Sequence, residues 1–468
     1  MLEAFVASST TGQRVDWSPR WRELDYLARP MAEPFPRTFY YANAIELFER
    51  LGHYGFYIGL ALYLRQVVGM SDIEVGVTLG NWRFVSSMAP IPCGAIADRI
   101  SFKRSLMIAF AGYVTAYTTI LLVPKKSFVV AALMLGAISG GFMKPVITGT
   151  VVRTSPPGRQ VEGFGVFYRM VNAGSVVGKT IAFTLRHFGA LRFVAGMSAL
   201  SSFVSLGIAT FLYEEPKDDS VKVDKPSFGE VLRGYGIALK DLRFVAFLLI
   251  FAGYYFMSEQ FYMTFPQYMT RHIDKNAPLE IITLINPATI AVCTGLVARA
   301  TKRFQPITTM VMGVTIGSLS MFVMGSIPSI TGACLSGAIF AVAEMTFTPR
   351  FYDYLGTLAP KGKAGMYMGL AFVPSAIGAW VGGRVSGPLI LRFIPERGDR
   401  NPFALWSIYA GLGLVSAVVM ALYARFVSAT RTSSEPAAPG SSGSRPCRSP
   451  CRSRRRSRRP TCRAGPPA

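Results

Sequence analysis

The 468-residue sequence has little charge, since only 16% of its residues are Asp, Glu, Lys or Arg, against about 25% in an average soluble protein. The charged residues gather at the two ends and in certain loops, and they leave long windows nearly uncharged. A soluble protein spreads charge over its whole surface. The clustering therefore excludes an ordinary soluble fold and indicates that a bilayer surrounds most of the chain.

Histidine and cysteine are also scarce, with three and six copies. The histidines lie far apart along the chain, and three of the cysteines fall in apolar segments, where Cys usually acts as a small packing residue. A metal site, a disulfide framework and an enzyme active site are therefore not expected. Residues 1–37 have no apolar core, so a cleavable signal peptide is not expected either.

Long apolar runs are abundant. A membrane-spanning helix needs about 20 mainly apolar residues, and about twelve such windows are present. They lie at residues 38–65, 74–97, 105–123, 128–152, 161–184, 191–213, 242–268, 278–300, 306–327, 331–353, 364–391 and 403–426. A polar linker at 214–241 separates the first six from the last six. The sequence predicts an all-α membrane protein of twelve spans in two six-helix halves, 38–213 and 242–427, a plan that resembles the major facilitator fold.

The distribution of Lys and Arg predicts the orientation. These residues gather in the loops that follow the second, fourth, sixth, eighth and tenth windows. The positive-inside rule therefore predicts that the linker and both terminal segments, 1–37 and 428–468, are cytosolic. We expect a multi-pass protein of the plasma membrane.

The net charge of +23 would suit a nucleic-acid-binding protein. Much of it, however, lies in residues 428–468, where Pro, Gly, Ser and Arg dominate. That composition predicts a disordered basic tail. Contact with anionic membrane lipid explains such a tail without a specific nucleic-acid partner.

Charged residues inside a span are costly and are functional candidates for that reason. Glu46, Glu49, Arg50 and His53 follow one stripe of the first predicted span, because positions three and four apart are neighbours on a helix. Two carboxylates share one guanidinium, so one can pair with Arg50 while the other holds a proton. The stripe predicts proton coupling, and the alternative is a structural ion pair near a helix end.

Three further charges lie within predicted spans: Lys144 in the fourth, Glu259 in the seventh and Glu344 in the tenth. Lys144 and Glu344 are a cation and an anion in matching spans of the two halves. We therefore predict a salt bridge between them that acts as a gate, with Glu259 as a further gate residue. Taken singly, each residue could instead make an ordinary contact within the bundle.

The pattern Glu46-x-x-Glu49-Arg50-x-x-x-Tyr54 resembles the first-span signature of the proton-dependent oligopeptide transporter family, the peptide/nitrate branch of the major facilitators. The resemblance covers residues 38–427. It also rests on a general facilitator loop formed by Gly94, Asp98, Arg99, Lys103 and Arg104, on Phe167 to Ser175 in the fifth span, on Lys144-Pro145, on Asn286-Pro287 and on Glu344 to Pro349.

This resemblance implies that Glu46, Glu49 and Arg50 couple proton entry to transport. It implies substrate contacts at six residues, namely Tyr54, Lys144, Tyr168, Asn172, Asn286 and Glu344. Lys144 and Asn172 would hold a carboxylate, and Glu344 and Asn286 an amino end.

The sequence departs from the family pattern near the first-span signature. His53 stands where peptide carriers usually have a pocket aromatic, and it is a further candidate for the pocket. Tyr57 replaces an arginine that in many members pairs with the seventh-span acid. The gate partner of Glu259 is therefore left open.

The leading hypothesis is a monomeric symporter that imports di- or tripeptides together with protons by alternating access. The proton is the coupling ion, and no cofactor is expected. One alternative is a proton-coupled carrier of nitrate or another small non-peptide solute. A second is a membrane sensor that does not transport, which the retention of charges in both halves disfavours.

Overall fold

The computed structural model describes residues 34–156, 158–216, 228–358 and 364–434. Most of the predicted N-terminal segment, part of the linker and most of the predicted basic tail lie outside these residues. The chain forms two units, one that ends at Ala424 and one that begins at Arg425.

Six spans form the first half. Each crossing is a single helix or a pair of helices joined end to end. Their bounds are Arg37–Gln66, Asp72–Met88 with Pro90–Ile100, Phe102–Leu122, Lys126–Thr154, Gln160–His187, and Phe193–Gly207 with the π-helical turn Ile208–Leu212. A linker helix, Phe228–Ala238, follows.

Six further spans form the second half, and several are broken into shorter pieces. The seventh is Leu242–Ser258, Gln260–Met263 and Phe265–Tyr268, followed by the π-helical turn Met269–Ile273; the eighth is Leu279–Ile282 and Ile285–Thr301. The last four are Pro306–Ser326, Ile330–Leu358, Ala364–Gly369 with Leu370–Phe372 and Val373–Phe393, and Pro402–Ser434. The predicted twelve-span plan is confirmed.

Nine of the helices in the described residues are long and apolar enough to cross a membrane by themselves. The other three crossings are the first, second and fifth. The first and fifth carry charged residues such as Glu49 and Lys179, and the second is interrupted where Met88 is followed by a new helix that begins at Pro90. All three of these less apolar crossings belong to the first half, which is the half that was predicted to bind the proton.

The twelfth-span helix runs to Ser434. The tail was predicted to begin at residue 428, whereas the helix continues through residues 428–434; the rest of the predicted disordered tail lies outside the described residues. Apolar composition marks where a helix leaves the bilayer, but a helix can continue for several turns beyond that point on backbone hydrogen bonds alone.

Packing between the second and eleventh spans joins the two halves. Gly76 faces the backbone of Gly383, and Gly80 faces the backbone of Ala379. A side chain at either glycine would meet a main-chain oxygen, so glycine is needed for this close approach. The seam runs along the half of each span that lies away from the chain termini.

The spans define two faces of the bundle. The termini face is the one at which the first span begins at Arg37 and the twelfth leaves the bundle. The opposite face carries the connections at 67–71, 269–278 and 394–401.

Candidate functional site

The charged stripe of the first span is buried. Glu46, Glu49 and Arg50 are 2%, 5% and 9% exposed. The Arg50 Nε donates to Glu46 Oε1 at 2.7 Å, and it lies 2.9 Å from Glu49 Oε2 without making a hydrogen bond to that atom. The Tyr113 hydroxyl donates to Glu49 Oε1 at 3.5 Å. Glu46 therefore forms a short hydrogen bond with Arg50, while Glu49 accepts, among the described residues, only a long hydrogen bond from Tyr113 and is the more loosely held carboxylate.

Glu49 lines a small cavity of about 30 Å³ in the first half, together with His53, Arg83 and Lys144. The first, second, third and fourth spans contribute to its wall. This volume accommodates only a few water-sized groups. The cavity therefore connects the loosely held carboxylate with two basic side chains, and it is too small for a dipeptide.

Arg83 bridges from this cavity to the other half. Its guanidinium makes a bidentate pair with Glu259, with Nη2 at 2.6 Å from Oε1 and Nε at 3.1 Å from both carboxylate oxygens. The Tyr57 hydroxyl donates to Glu259 Oε2 at 2.8 Å, and the Tyr57 ring stacks on Tyr262 with 4.1 Å between centroids.

The sequence left the partner of Glu259 open because Tyr57 replaces the usual arginine. The structure supplies a guanidinium from the second span instead, at Arg83, and Tyr57 adds a hydrogen bond to the same carboxylate. Arg83 lies inside the apolar window 74–97, so its position in the sequence carries the same signal as the other intramembrane charges.

The predicted Lys144–Glu344 salt bridge is absent from this conformation. Within the described residues neither side chain makes an ion pair, and the Glu344 Oε2 accepts only from Asn286 Nδ2, at 3.3 Å. The two halves meet towards the opposite face, and Lys144 lies against the cavity of its own half. Lys144 and Glu344 lie in corresponding spans, but they can form a contact only in a conformation in which the two halves approach each other at the depth of these residues.

Two of the predicted pocket residues, His53 and Tyr54, lie beside the charged stripe of the first span. The Tyr54 ring lies between two cations, with Arg50 Cζ at 5.8 Å and Lys179 Nζ at 5.7 Å from its centroid. His53 packs against the rings of Tyr54, Tyr57 and Trp82. His53 and Tyr54 are therefore brought together with the charged stripe of Glu46, Glu49 and Arg50.

The fifth-span candidates lie nearer the termini face. Tyr168 is 54% exposed, and the Asn172 Nδ2 donates to the carbonyl oxygen of Tyr168 at 2.8 Å. Neither residue contacts Lys144 in this conformation, as far as the described contacts extend. A common pocket for Lys144, Tyr168 and Asn172 stays a prediction.

The facilitator loop turns at Ser101, which has a φ of +101°. That left-handed value favours glycine, and this chain has serine there. Its hydroxyl accepts from Arg104 N, and the Glu215 carboxylate accepts from the amides of Phe102 and Lys103 at 2.8 and 2.9 Å. Arg99 and Arg104 are exposed, and the side chain of Asp98 lies outside the described features.

Ion pairs between the halves seal the opposite face. The Arg271 Nη2 lies 2.6 Å from Asp72 Oδ1, and the Arg186 Nε lies 2.8 Å from Glu280 Oε1. Both carboxylates are 1–2% exposed. This face is closed, while Lys144 and Glu344 remain partly exposed at the centre of the bundle.

The Major Facilitator Superfamily sequence model matches residues 44–383. The chain belongs to the Major Facilitator Superfamily. It is an integral, multi-pass membrane protein of a transporter superfamily. The multidrug resistance protein MdtH of Photorhabdus laumondii is 25% identical over 333 residues, 71% of this chain and 81% of that protein. MdtH of Sodalis glossinidius is 24% identical and covers 80% of this chain and 90% of its own length.

Solved structures of other facilitators share the fold. A POT family transporter in complex with 5-aminolevulinic acid has a TM-score of 0.70 at 16% identity, over 86% of this chain and 99% of that one. The nucleoside transporter NupG has a TM-score of 0.72 at 14% identity, over 82% and 99%. Tetrameric PepTSo2 has a TM-score of 0.67 at 17% identity, over 85% and 99%. The resemblance to the peptide-transporter branch is confirmed at the level of the fold, and the monomeric state stays a prediction.

Three intramembrane cations of this facilitator were missed in the sequence: Arg83, Lys179 and Arg384. Arg384 lies on the eleventh span, where its guanidinium stacks on Trp380 with 3.6 Å to the ring centroid and donates to Asn81 of the other half at 3.1 Å. All three make contacts that cross between the halves. Their common signal was a basic residue within an otherwise apolar window.

Proposed function

We propose that this facilitator is a proton-coupled symporter of small zwitterionic substrates, with di- and tripeptides as the substrate class. The observation that carries the proposal is the pair Lys144 and Glu344. One is a cation of the first half and the other an anion of the second half, and neither has an oppositely charged partner within the described residues. A peptide with a terminal carboxylate and a terminal amine complements both.

The proton site in this proposal is Glu49. Glu46 neutralises Arg50 through a direct hydrogen bond, so a proton on Glu49 gives the stripe a balanced charge. Without that proton the stripe is a net anion in a buried place. Glu49 also lines the cavity that holds Lys144, so its protonation changes the electrostatic surroundings of the proposed carboxylate site directly.

The ligand of a fold neighbour supports the same substrate chemistry. The POT family transporter was solved with 5-aminolevulinic acid, a small molecule with one amine and one carboxylate. The second candidate function is drug transport, which the similarity in sequence to the MdtH proteins favours. Drug transport does not require the paired, unneutralised charges in the two halves.

The test is uptake of labelled Ala-Ala into proteoliposomes, with and without an inward proton gradient. We expect accumulation that requires the gradient. Glu49→Gln should abolish accumulation while keeping exchange of Ala-Ala across the membrane, because exchange needs no net movement of protons. Glu74→Gln, which alters an exposed ion pair on the opposite face, is the matched control and should transport normally.

Two results would contradict this function. Gradient-driven accumulation that persists in Glu49→Gln would remove Glu49 from the coupling role. Absence of dipeptide uptake, with gradient-driven movement of lipophilic cationic dyes or of nitrate in the same vesicles, would replace the peptide assignment with drug or anion transport.

A further inference from the structure

Lys179 is a buried cation of the fifth span, only 4% exposed. Within the described residues its Nζ makes one hydrogen bond, at 3.3 Å to the backbone carbonyl of Thr283 in the eighth span. It also faces the ring of Tyr54, with 5.7 Å to the centroid. An ammonium has three donors, so most of its hydrogen-bonding capacity is unused.

The nearest carboxylate does not neutralise Lys179. Glu280 is engaged through both oxygens by Arg186, with Nε and Nη2 each at 2.8 Å. Lys179 and Arg186 are seven residues apart and therefore lie on the same face of their helix. Arg186 holds the acid at the opposite face, and Lys179 lies two turns deeper, beside the predicted pocket residue Tyr54.

The one hydrogen bond of Lys179 joins the two halves. Thr283 belongs to the second half, so opening of the opposite face carries its carbonyl away from Lys179. A buried ammonium without a partner is costly by several kcal/mol. An anionic group of a solute that enters from the opposite face would replace the lost carbonyl, and the Tyr54 ring would hold the ammonium at the pocket.

The charges around the predicted pocket indicate which solute fits. Arg50 is matched by Glu46 and Glu49, and Arg83 is matched by Glu259. No ion pair within the described residues includes Lys144, Lys179 or Glu344. Their complement is a solute with two anionic groups and one cationic group.

We propose that Lys179 binds a second anionic group of the substrate, and that the carrier therefore prefers dipeptides with an acidic side chain. This inference rests on the proposed function, because it assumes that Lys144 and Glu344 hold the two ends of a peptide. It assigns the side-chain carboxylate to Lys179.

The experiment compares Ala-Glu with Ala-Gln as competitors of labelled Ala-Ala uptake. The two peptides have nearly the same shape and differ in one charge. A hydrogen bond to a charged group contributes about 1.5–3 kcal/mol, so we expect Ala-Glu to compete at least about tenfold better. Lys179→Gln should remove this difference, and Lys179→Arg should retain most of it.

Lys275→Gln is the matched control, because Lys275 is an exposed lysine of the opposite face and undergoes the same chemical change. It should keep the preference for Ala-Glu. Equal competition by the two peptides in the unmodified protein would overturn the proposal. So would equal weakening of both peptides in Lys179→Gln, since that result indicates a purely structural role for Lys179.

Failure of the proposed function gives a different result. If no dipeptide is transported, peptide symport is refuted. Anion binding at Lys179 is then measured separately, as the thermal stabilisation of the purified protein by glutarate and by its neutral diamide. Stabilisation by glutarate alone that is lost in Lys179→Gln supports an anion site at Lys179. Absence of such stabilisation overturns it.

Discussion

Replacing Arg83 with glutamine removes the guanidinium that joins the second span to Glu259 of the seventh. The pair has three close nitrogen–oxygen contacts, of 2.6, 3.1 and 3.1 Å, and the Glu259 side chain is 5% exposed. Removal of one member of a buried pair costs about 3–5 kcal/mol. We expect the lower end of that range, because the Tyr57 hydroxyl continues to donate to Glu259.

This cost falls on one conformation. Arg83 and Glu259 lie in different halves, so they are in contact only while the bundle is closed towards the opposite face. A loss of about 3 kcal/mol from the closed state changes the ratio of closed to open molecules by a factor of about 150. The substitution should therefore expose residues that the closed opposite face covers.

Ala277 is a suitable reporter. It is fully buried, and its carbonyl accepts from Arg186 across the closed face. In a background without other cysteines, Ala277→Cys should react slowly with a hydrophilic maleimide in detergent micelles. Arg83→Gln should raise the reaction rate on the order of a hundredfold.

A double-mutant cycle separates the pair from its surroundings. Glu259→Gln should also raise the reaction rate, and the double variant should exceed either single variant by much less than the product of their effects. Lys126→Gln is the control, because Lys126 forms an exposed pair with Glu74 at the same face and such pairs contribute little. An unchanged rate in Arg83→Gln, or multiplicative effects in the double variant, would refute the gate assignment.

Two further predictions concern the same face. Gly76→Ala would place a methyl group against the Gly383 carbonyl, so it should raise the reaction rate of Ala277→Cys. Gly207→Ala is the control and should leave the rate unchanged, because the added methyl group would meet no atom within 4 Å. Equal rates in the two variants would contradict the close packing of the second and eleventh spans. Lys126 donates two hydrogen bonds to the exposed Glu74 carboxylate, and the Ser71 backbone N–H donates a third. This cluster lies at the opposite face, away from the Glu46, Glu49 and Arg50 stripe. Glu74→Gln should therefore leave the pH profile of uptake between pH 5 and 8 unchanged in shape, and a shifted profile would contradict this.

Apolar length alone predicted the spans and the division into halves, because the cost of exposing a backbone to lipid leaves few other ways to cross a bilayer. The buried stripe of Glu46, Glu49 and Arg50 followed from helical spacing within one span. Those contacts join residues that are one to four positions apart in one helix, so the helical period predicts them. The exact end of the twelfth helix did not follow, since beyond the bilayer the apolar signal disappears.

The contacts between halves could not be derived in the same way. The Arg83–Glu259 pair depends on how two spans are rotated about their axes, which one sequence does not specify. The Lys144–Glu344 contact depends on which face is closed, and that is an equilibrium between whole halves rather than a property of either span. Both acids were identified as intramembrane charges from the sequence, and the contact predicted for Glu344 is absent in this conformation and stays a prediction for another.

The span that supplies the guanidinium to Glu259 also indicates what a gate at this residue would require. In the family pattern the arginine stands at the position of Tyr57, on the first span; here it stands at Arg83, on the second. The first and second spans belong to the same half, and both lie opposite Glu259. When the halves move as rigid bodies, a guanidinium on either span leaves the carboxylate in the same step. Such a gate therefore requires that the cation and the acid lie in different halves at this depth, and Tyr57 adds a hydrogen bond to the acid from the first span.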